Sequence, residues 1–508
     1  MLFTKHFGMK KIIYTLLLLF LITPILKASD MPAYEIKVRI QGLKDTLMYL
    51  ANYYGGYTVK ADSAMIDKKG WAVFKGVKPL PCGVYMTVLG NTKIFEFAVN
   101  EQFFSLETDT GFNVKKMKIK NSPENELFIG YQTGSAELTS NIYKFQSQIK
   151  EAEKDPTKKS LITSLRDSIR IYSEKELGLR KNIIKNHPTS MTAKIMRSLE
   201  DIVSPATPLG KDGKPIDSNF QFNYYRDHYF DNIDFTCDCL IRCPIYHNKL
   251  KYFFDKLVAM HPDSIVFWSY IIIDKTKPSK ELFKYTLNYL INTYAASNYV
   301  CMDAIPVNLI LKYYNYKDCF WVDSAEIYRS RTRMELLYPT LCNHFAPNIM
   351  MHDSLLEKKI VEVVKSDTIP DSRSNKIYSL MQKHGTTNLY DVKSPYTILM
   401  FWDPDCSHCK AEMPKIKSLY DKMKGKGVEV FAVCVETDYN KWVDYINKEN
   451  LKWINVIDIY NISEFRKYYD INSTPVILLL DKDKKILAKK LDGTTLEEFL
   501  SIELKLKQ

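Results

Sequence analysis

Cys406-Ser407-His408-Cys409 is the stretch of this sequence whose residue types and spacing specify a reaction. Two thiols separated by two residues can close a disulfide within one helical turn and open it again, a two-electron redox change. The flanks support that chemistry. Tyr396 to Trp402 is an apolar, β-type run, and Lys410-Ala411-Glu412-Met413-Pro414-Lys415-Ile416 leads into a helical pattern, so the pair stands at a strand-to-helix turn. A thiolate there faces unpaired backbone N–H groups and the positive end of the helix dipole, and both lower the pKa of the first thiol. A c-type haem would need His directly after the second cysteine, and Lys410 occupies that place.

The elements needed to hold such a turn can be read on both sides of it. After the helix come a strand (Val428 to Glu436), a helix carrying Trp442 and Ile446, a strand from Trp453 to Asp458 and a short helix around Glu464 to Tyr469. Ser473-Thr474-Pro475 then precedes the strand Val476 to Leu480, a turn at Asp481-Lys482-Asp483-Lys484, a strand Ile486 to Leu491 and a closing helix from Thr494. With Phe401-Trp402, Cys406-x-x-Cys409 and Thr474-Pro475 in this β-α-β-α-β-β-α order, the segment resembles the TlpA-like disulfide reductases of thioredoxin fold.

The resemblance implies that Cys406 is the exposed nucleophile and Cys409 the buried resolving thiol. It also implies that Pro475 is cis and that the backbone at Thr474 lines the site, with Trp402, Thr474 and Pro475 as substrate-binding residues. Glu412 matches an acidic residue placed near the sulfurs, where it would take or relay the Cys409 proton; a solvated helix carboxylate is the other reading. His408, if protonated, would stabilise the thiolate, whereas Asp403 and Asp405 oppose it by repulsion. Asp405 departs from the family, which often has an aromatic residue there. Asp403 stands where a peroxiredoxin would have threonine, which speaks against that class. Ala346-Pro347-Asn348 resembles the opening of redoxin-type domains, and the charged, helical stretch Leu355 to Thr387 is an insertion, either a lid or a surface elaboration.

Eight further cysteines are expected to be structural. Cys82, Cys301, Cys319, Cys342 and Cys434 are isolated, and Cys434 lies in an apolar run. Cys237, Cys239 and Cys243 with His247 do not match the usual zinc spacings, so no metal is expected there; a disulfide from this cluster to another cysteine is. No cofactor is called for, and copper binding would need more soft ligands than the Cys406 turn supplies.

The 508 residues suggest about three domains. Residues 1–28 read as a secretory signal: Lys10 and Lys11, an apolar run from Ile12 to Leu26 broken by Thr23 and Pro24, and a small-residue exit at Ala28-Ser29; an uncleaved anchor is the alternative. That points to the periplasm or cell envelope, where thiols oxidise. Of the net charge of +12, this stretch carries +4 and the part from Ala346 onward +1, leaving +7 spread over the rest. No strongly basic domain results, so nucleic acid is not expected as a partner.

Residues 29–118 alternate as short strands separated by turns such as Asp67-Lys68-Lys69-Gly70, predicting a β-sandwich-like domain. From 119 to 345 helical spacing takes over, as in Leu165, Ile169 and Tyr172, ending near Asn186-His187-Pro188. Residues 346–508 complete a multi-domain α+β and α/β chain with the thioredoxin-type domain, a layout similar to exported multi-domain TlpA-like proteins. The aromatic run Tyr224 to Phe235 reads as helix packing before client binding. The function expected is exchange of disulfides with protein clients, with a membrane thiol-disulfide electron donor to re-reduce the site. The alternative is a partner- or ligand-binding envelope protein with an accessory thioredoxin-like domain.

Overall fold

The computed structural model describes residues 32–112 and 114–504, so the signal-like segment lies outside the described residues. The chain folds into two compact units, Met1–Phe253 and Phe254–Gln508. The helical stretch expected at 119–345 is thus shared between them.

The first unit contains two four-stranded sheets, ordered β4-β1-β7-β8 and β3-β2-β5-β6. The strands are β1 (Tyr34–Gln41), β2 (Leu47–Tyr54), β3 (Tyr57–Met65), β4 (Trp71–Gly76), β5 (Gly83–Leu89), β6 (Thr92–Val99), β7 (Phe103–Asp109) and β8 (Lys118–Lys120). Period-two alternation buries Ile36, Val38 and Ile40 of β1, and Phe97 of one sheet meets Phe104 of the other edge-on at 5.9 Å. The residues of β3 are mostly exposed and show no inward alternation, so this strand carries little of the period-two signal by which strands are read from sequence.

Helix α1 (Pro123–Ala152) is latched to the sheet edge by Asn125, which exchanges two 2.8 Å hydrogen bonds with the backbone of Ala98. It pairs with α2 (Lys159–Asn186), which ends where His187-Pro188 predicts. Then follow α3 (Met191–Ser198), α4 (Phe220–His228) and α5 (Pro244–Tyr252). The aromatic run packs on itself, with Tyr224 stacked on His228 and Phe230 against Phe253, in agreement with the packing reading. One expectation is corrected here: Cys237 bonds Cys239, inside its own cluster, and not a distant cysteine.

The second unit begins with α6 (Pro262–Thr276), α7 (Lys280–Ala295), α8 (Ala304–Tyr313) and α9 (Ser324–Leu337). A five-stranded sheet follows, ordered β13-β12-β11-β14-β15, from β11 (Tyr396–Trp402), β12 (Val428–Cys434), β13 (Ile454–Ile457), β14 (Val476–Leu480) and β15 (Ile486–Lys489). β11, β12 and β13 run parallel and β14 and β15 antiparallel to their neighbours. The strands of the centre are apolar almost throughout because helices and loops cover both faces: Ile398, Met400 and Trp402 enter one core and Leu399 and Phe401 the other.

The insertion is a helical pair, α10 (Ser354–Ser366) and α11 (Pro370–His384), preceded by the two-residue strand β9 (Met350–Met351) and followed by its partner β10 (Thr387–Asn388). α10 packs on β13, whereas α11 buries no residue, as a surface elaboration would. Two helices flank the reactive turn, α12 (Ser407–Met423) and α13 (Tyr439–Glu449), and α14 (Gly493–Glu503) closes the fold.

Cys301 and Cys342, far apart in sequence, form a disulfide across a separation of 41 residues. Cross-linking a loop of that length removes unfolded-state entropy worth about 2–4 kcal/mol, far more than a three-residue loop. Replacing both with serine should lower the stability of the second unit by about that amount in urea titration, while the same change at Cys237 and Cys239 costs clearly less.

Candidate functional site

Cys406 is the residue immediately before the first turn of α12, and Cys409 lies in that turn. The chain reaches this point from Trp402, the last residue of β11, through a turn in which the Cys406 N–H donates to the Asp403 carbonyl at 3.3 Å. Cys406 is partly exposed and Cys409 buried. The Thr474-Pro475 peptide is cis, and the Cys406 thiol donates to the Thr474 carbonyl at 3.2 Å. Two segments 68 residues apart in sequence therefore meet at one sulfur.

The two thiols differ in acidity. Burial pushes Cys406 up, but hydrogen bonding from the Thr474 side chain, the Cys409 N–H and thiol and the His408 N–H outweighs it, and the group falls from 9.0 to about 7. The neutral thiol makes no cap hydrogen bond to the helix, so the N–H groups of the first turn act on the charged form. Cys409 is pushed up to about 11, first by burial and then by its hydrogen bond to Cys406 and that neighbour's charge. Cys434, buried at the end of β12 opposite Trp402, is raised by burial.

In the folded protein the alkylation rate of Cys406 by iodoacetamide should rise with pH through about 7, against about 9 in the unfolded chain. A depressed thiol pKa contributes stability that is fully present above about 9 and is lost as pH falls through about 7. Cys409 should stay unmodified throughout that range, and peptide mass mapping separates the two.

Several expected roles change. His408 is exposed, and it acts on Cys406 through its backbone N–H. Asp405 does not stand as an isolated negative charge, because Lys441 of α13 bonds it at 2.8 Å. Nothing in the spacing of residues 36 apart announces that pair. Glu412 accepts from Lys415 at 2.7 Å and from the Gly493 N–H at 2.8 Å. Such contacts make it a carboxylate capping the N-terminus of α14. A Cβ at Gly493 would lie 2.6 Å from the Lys415 Cβ, so glycine is what allows the two helices to approach so closely.

Trp402 is corrected as a substrate contact. Its ring is fully buried, 5.1 Å from Tyr445, and supports the turn from within the core. Thr474 stands beside the reactive sulfur, with Pro475 the next residue across the cis peptide, and the Thr474 side chain adds an interaction that the resemblance had assigned to backbone alone.

Residues 394–486 match a family model described as thioredoxin-like, and residues 34–128 match a domain of unknown function. A thioredoxin-like protein of Haemophilus influenzae is 33% identical over 132 residues, which is 25% of this chain and 72% of that protein. The chain belongs to the thioredoxin-like family. This agrees with the TlpA-like resemblance carried by Cys406, Cys409 and Pro475. The thiol-disulfide oxidoreductase ResA of Bacillus cereus is 31% identical over 110 residues, and the chain spans 62% of that relative's length and 22% of its own. A thioredoxin-like protein of Bacteroides caccae, 17% identical, aligns over 60% of this chain and 99% of its own with a TM-score of 0.41. The thioredoxin-like part explains the site; the N-terminal β-rich domain and the helical middle are additions to it.

Proposed function

We propose that this thioredoxin-like protein is an exported thiol-disulfide oxidoreductase acting on protein clients through Cys406 and Cys409. The observation that carries the reading is the asymmetry of the two sulfurs: one partly exposed and lowered to about 7 beside Thr474, the other buried and raised to about 11. At neutral pH a substantial fraction of Cys406 is thiolate while Cys409 keeps its proton.

The Cys406 thiolate attacks one sulfur of a client disulfide; that S–S bond breaks, a Cys406-client disulfide forms and the other client sulfur leaves as a thiolate. Cys409 then loses its proton and attacks the Cys406 sulfur. This closes Cys406–Cys409 and releases the client as a dithiol, so two electrons have passed from enzyme to client. Return to the reduced state needs an external dithiol, for which a membrane thiol-disulfide electron donor is the partner class. The reverse steps would oxidise a client dithiol.

Export is supported by the signal-like pattern of residues 1–28 and by the disulfides Cys237–Cys239 and Cys301–Cys342, which belong to an oxidising compartment. Among the described residues no helix is long and apolar enough to cross a membrane. Cys409→Ser expressed with its native leader should accumulate mixed disulfides with envelope proteins, visible as reductant-sensitive bands in non-reducing gels. Absence of such bands, with Cys406 titrating normally, would remove the client reading.

A further inference from the structure

The first unit holds four cysteines, Cys82, Cys237, Cys239 and Cys243, and the fold gathers them around one short segment. Cys237 and Cys239 flank Asp238 and are joined by a disulfide, and Cys243 directly follows the short 3-10 helix Asp238–Arg242. Cys82 comes to this segment from the sheet, as the residue before β5. The two chains touch there: a Cβ at Gly83 would lie 2.2 Å from the Arg242 Cβ, so glycine is what lets them pass this closely. The 3-10 segment is also tied to the same sheet by the Gly55 N–H, which donates to the Ile241 carbonyl at 2.7 Å. Buried Tyr85 donates to the Pro81 carbonyl at 2.8 Å and so fixes the chain leading into Cys82.

The four sulfurs are not equivalent. Cys243 is buried, donates to the Leu240 carbonyl at 3.3 Å and is pushed up to about 11 by burial. Cys237 and Cys239 are 8% and 1% exposed, so their disulfide is almost closed to solvent. Cys82 alone of the four is partly exposed. Burial raises its thiol, the Arg242 charge lowers it and the Asp238 charge raises it, and the net direction is up. Asp238, the residue between the bonded cysteines, thus acts on Cys82 across space. A raised thiol makes attack from Cys82 slow at neutral pH, which suits a change of state better than rapid turnover.

We infer that Cys82, Cys237 and Cys239 form a second thiol-disulfide exchange centre, in which Cys82 attacks the Cys237–Cys239 bond and takes the disulfide onto itself. This goes beyond the oxidoreductase reading of Cys406 and Cys409 and does not depend on it. Cys82 gives its proton to solvent and its thiolate attacks one sulfur of the pair. The Cys237–Cys239 bond breaks, a bond from Cys82 forms, and the displaced sulfur leaves as a thiolate that takes up a proton. The number of thiols is unchanged and no oxidant or reductant is consumed. What changes is the work of the bond. A disulfide closing a three-residue loop does little to hold a fold, so opening it costs little. A bond from Cys82 joins residues more than 150 apart and ties the start of β5 to the segment before α5. It also brings the disulfide to a sulfur that solvent reaches, so an external dithiol can then reduce it. Cys82 is in this sense the gate to a disulfide that is otherwise shielded.

The test uses the full-length protein carrying Cys406→Ser, so that the other reactive thiol takes no part. It should be held at about pH 8.5, where more of Cys82 is thiolate, without oxidant or reductant, then quenched with N-ethylmaleimide and digested without reduction. Mass mapping is expected to show Cys82 joined to Cys237 or Cys239, with the other member of that pair newly alkylated and the total of alkylated thiols constant. In a second measurement dithiothreitol should reduce Cys237–Cys239 about tenfold faster in this protein than after the further change Cys82→Ser or Cys82→Ala. The peptide map needs no change at Cys82, so it stands even where such a variant folds poorly. An intact Cys237–Cys239 bond beside fully alkylated Cys82, or a linkage from Cys243 in place of Cys82, would overturn the inference. So would equal dithiothreitol rates with and without the Cys82 thiol.

Discussion

Cys406→Ser is expected to lower insulin disulfide reduction by about a thousandfold or more, because a serine hydroxyl at the same place is neither ionised near pH 7 nor able to form the mixed disulfide. The interactions that lower the Cys406 thiol to about 7, from the Thr474 side chain, the Cys409 N–H and thiol and the His408 N–H, act on sulfur and have no comparable effect on an alcohol. Cys409→Ser should behave differently. The first attack remains, so a single stoichiometric burst of client thiol is expected, followed by arrest at the mixed disulfide. Stopped-flow detection of released thiol separates the two outcomes; a Cys406→Ser protein that kept more than a tenth of the activity would contradict the assignment of the nucleophile. His408→Ala should change the rate far less, because the backbone N–H of residue 408 is retained.

Glu357→Leu is expected to destabilise the second unit by about 3–5 kcal/mol, the usual cost of breaking a buried charged or hydrogen-bonded pair by removing one partner. His352 Nδ1 and Glu357 Oε2 are 2.6 Å apart and both side chains are fully buried. The other Glu357 oxygen accepts from the Ile459 N–H at 3.2 Å, so leucine would strand an imidazole nitrogen and a backbone donor together. His352 also exchanges backbone hydrogen bonds with Ile457 at the end of β13. The pair therefore pins the start of α10 to the edge of the sheet. Urea unfolding followed by fluorescence should show the midpoint fall, with Glu357→Gln much milder because its amide still accepts and donates. Cys406 lies on β11's side of the sheet, two strands away, and its alkylation profile should be unchanged in Glu357→Gln.

The reactive pair, the order of the thioredoxin-like elements and most of the sandwich strands are legible in the chain alone, because their signals are local. Apolar runs bounded by turns, a Cys-x-x-Cys at a helix start and a proline before a strand need no knowledge of distant residues. What depends on contacts between distant segments is set by packing and leaves no such mark. Lys441 answers Asp405 across 36 residues, and Glu412 turns to Gly493 across 81, which makes it a cap for α14. Trp402 reads as a site residue in sequence, yet its position at the end of a strand covered on both faces sends the ring into the core. Cys301 and Cys342 look isolated in the chain and are bonded in the fold, while the three cysteines near 240 kept a disulfide to themselves. A cavity beside Pro475 belongs to the same class: its two walls are more than 130 residues apart in sequence, from Arg333 to Asp470, and only the packing of α9 against the loop before β14 brings them together.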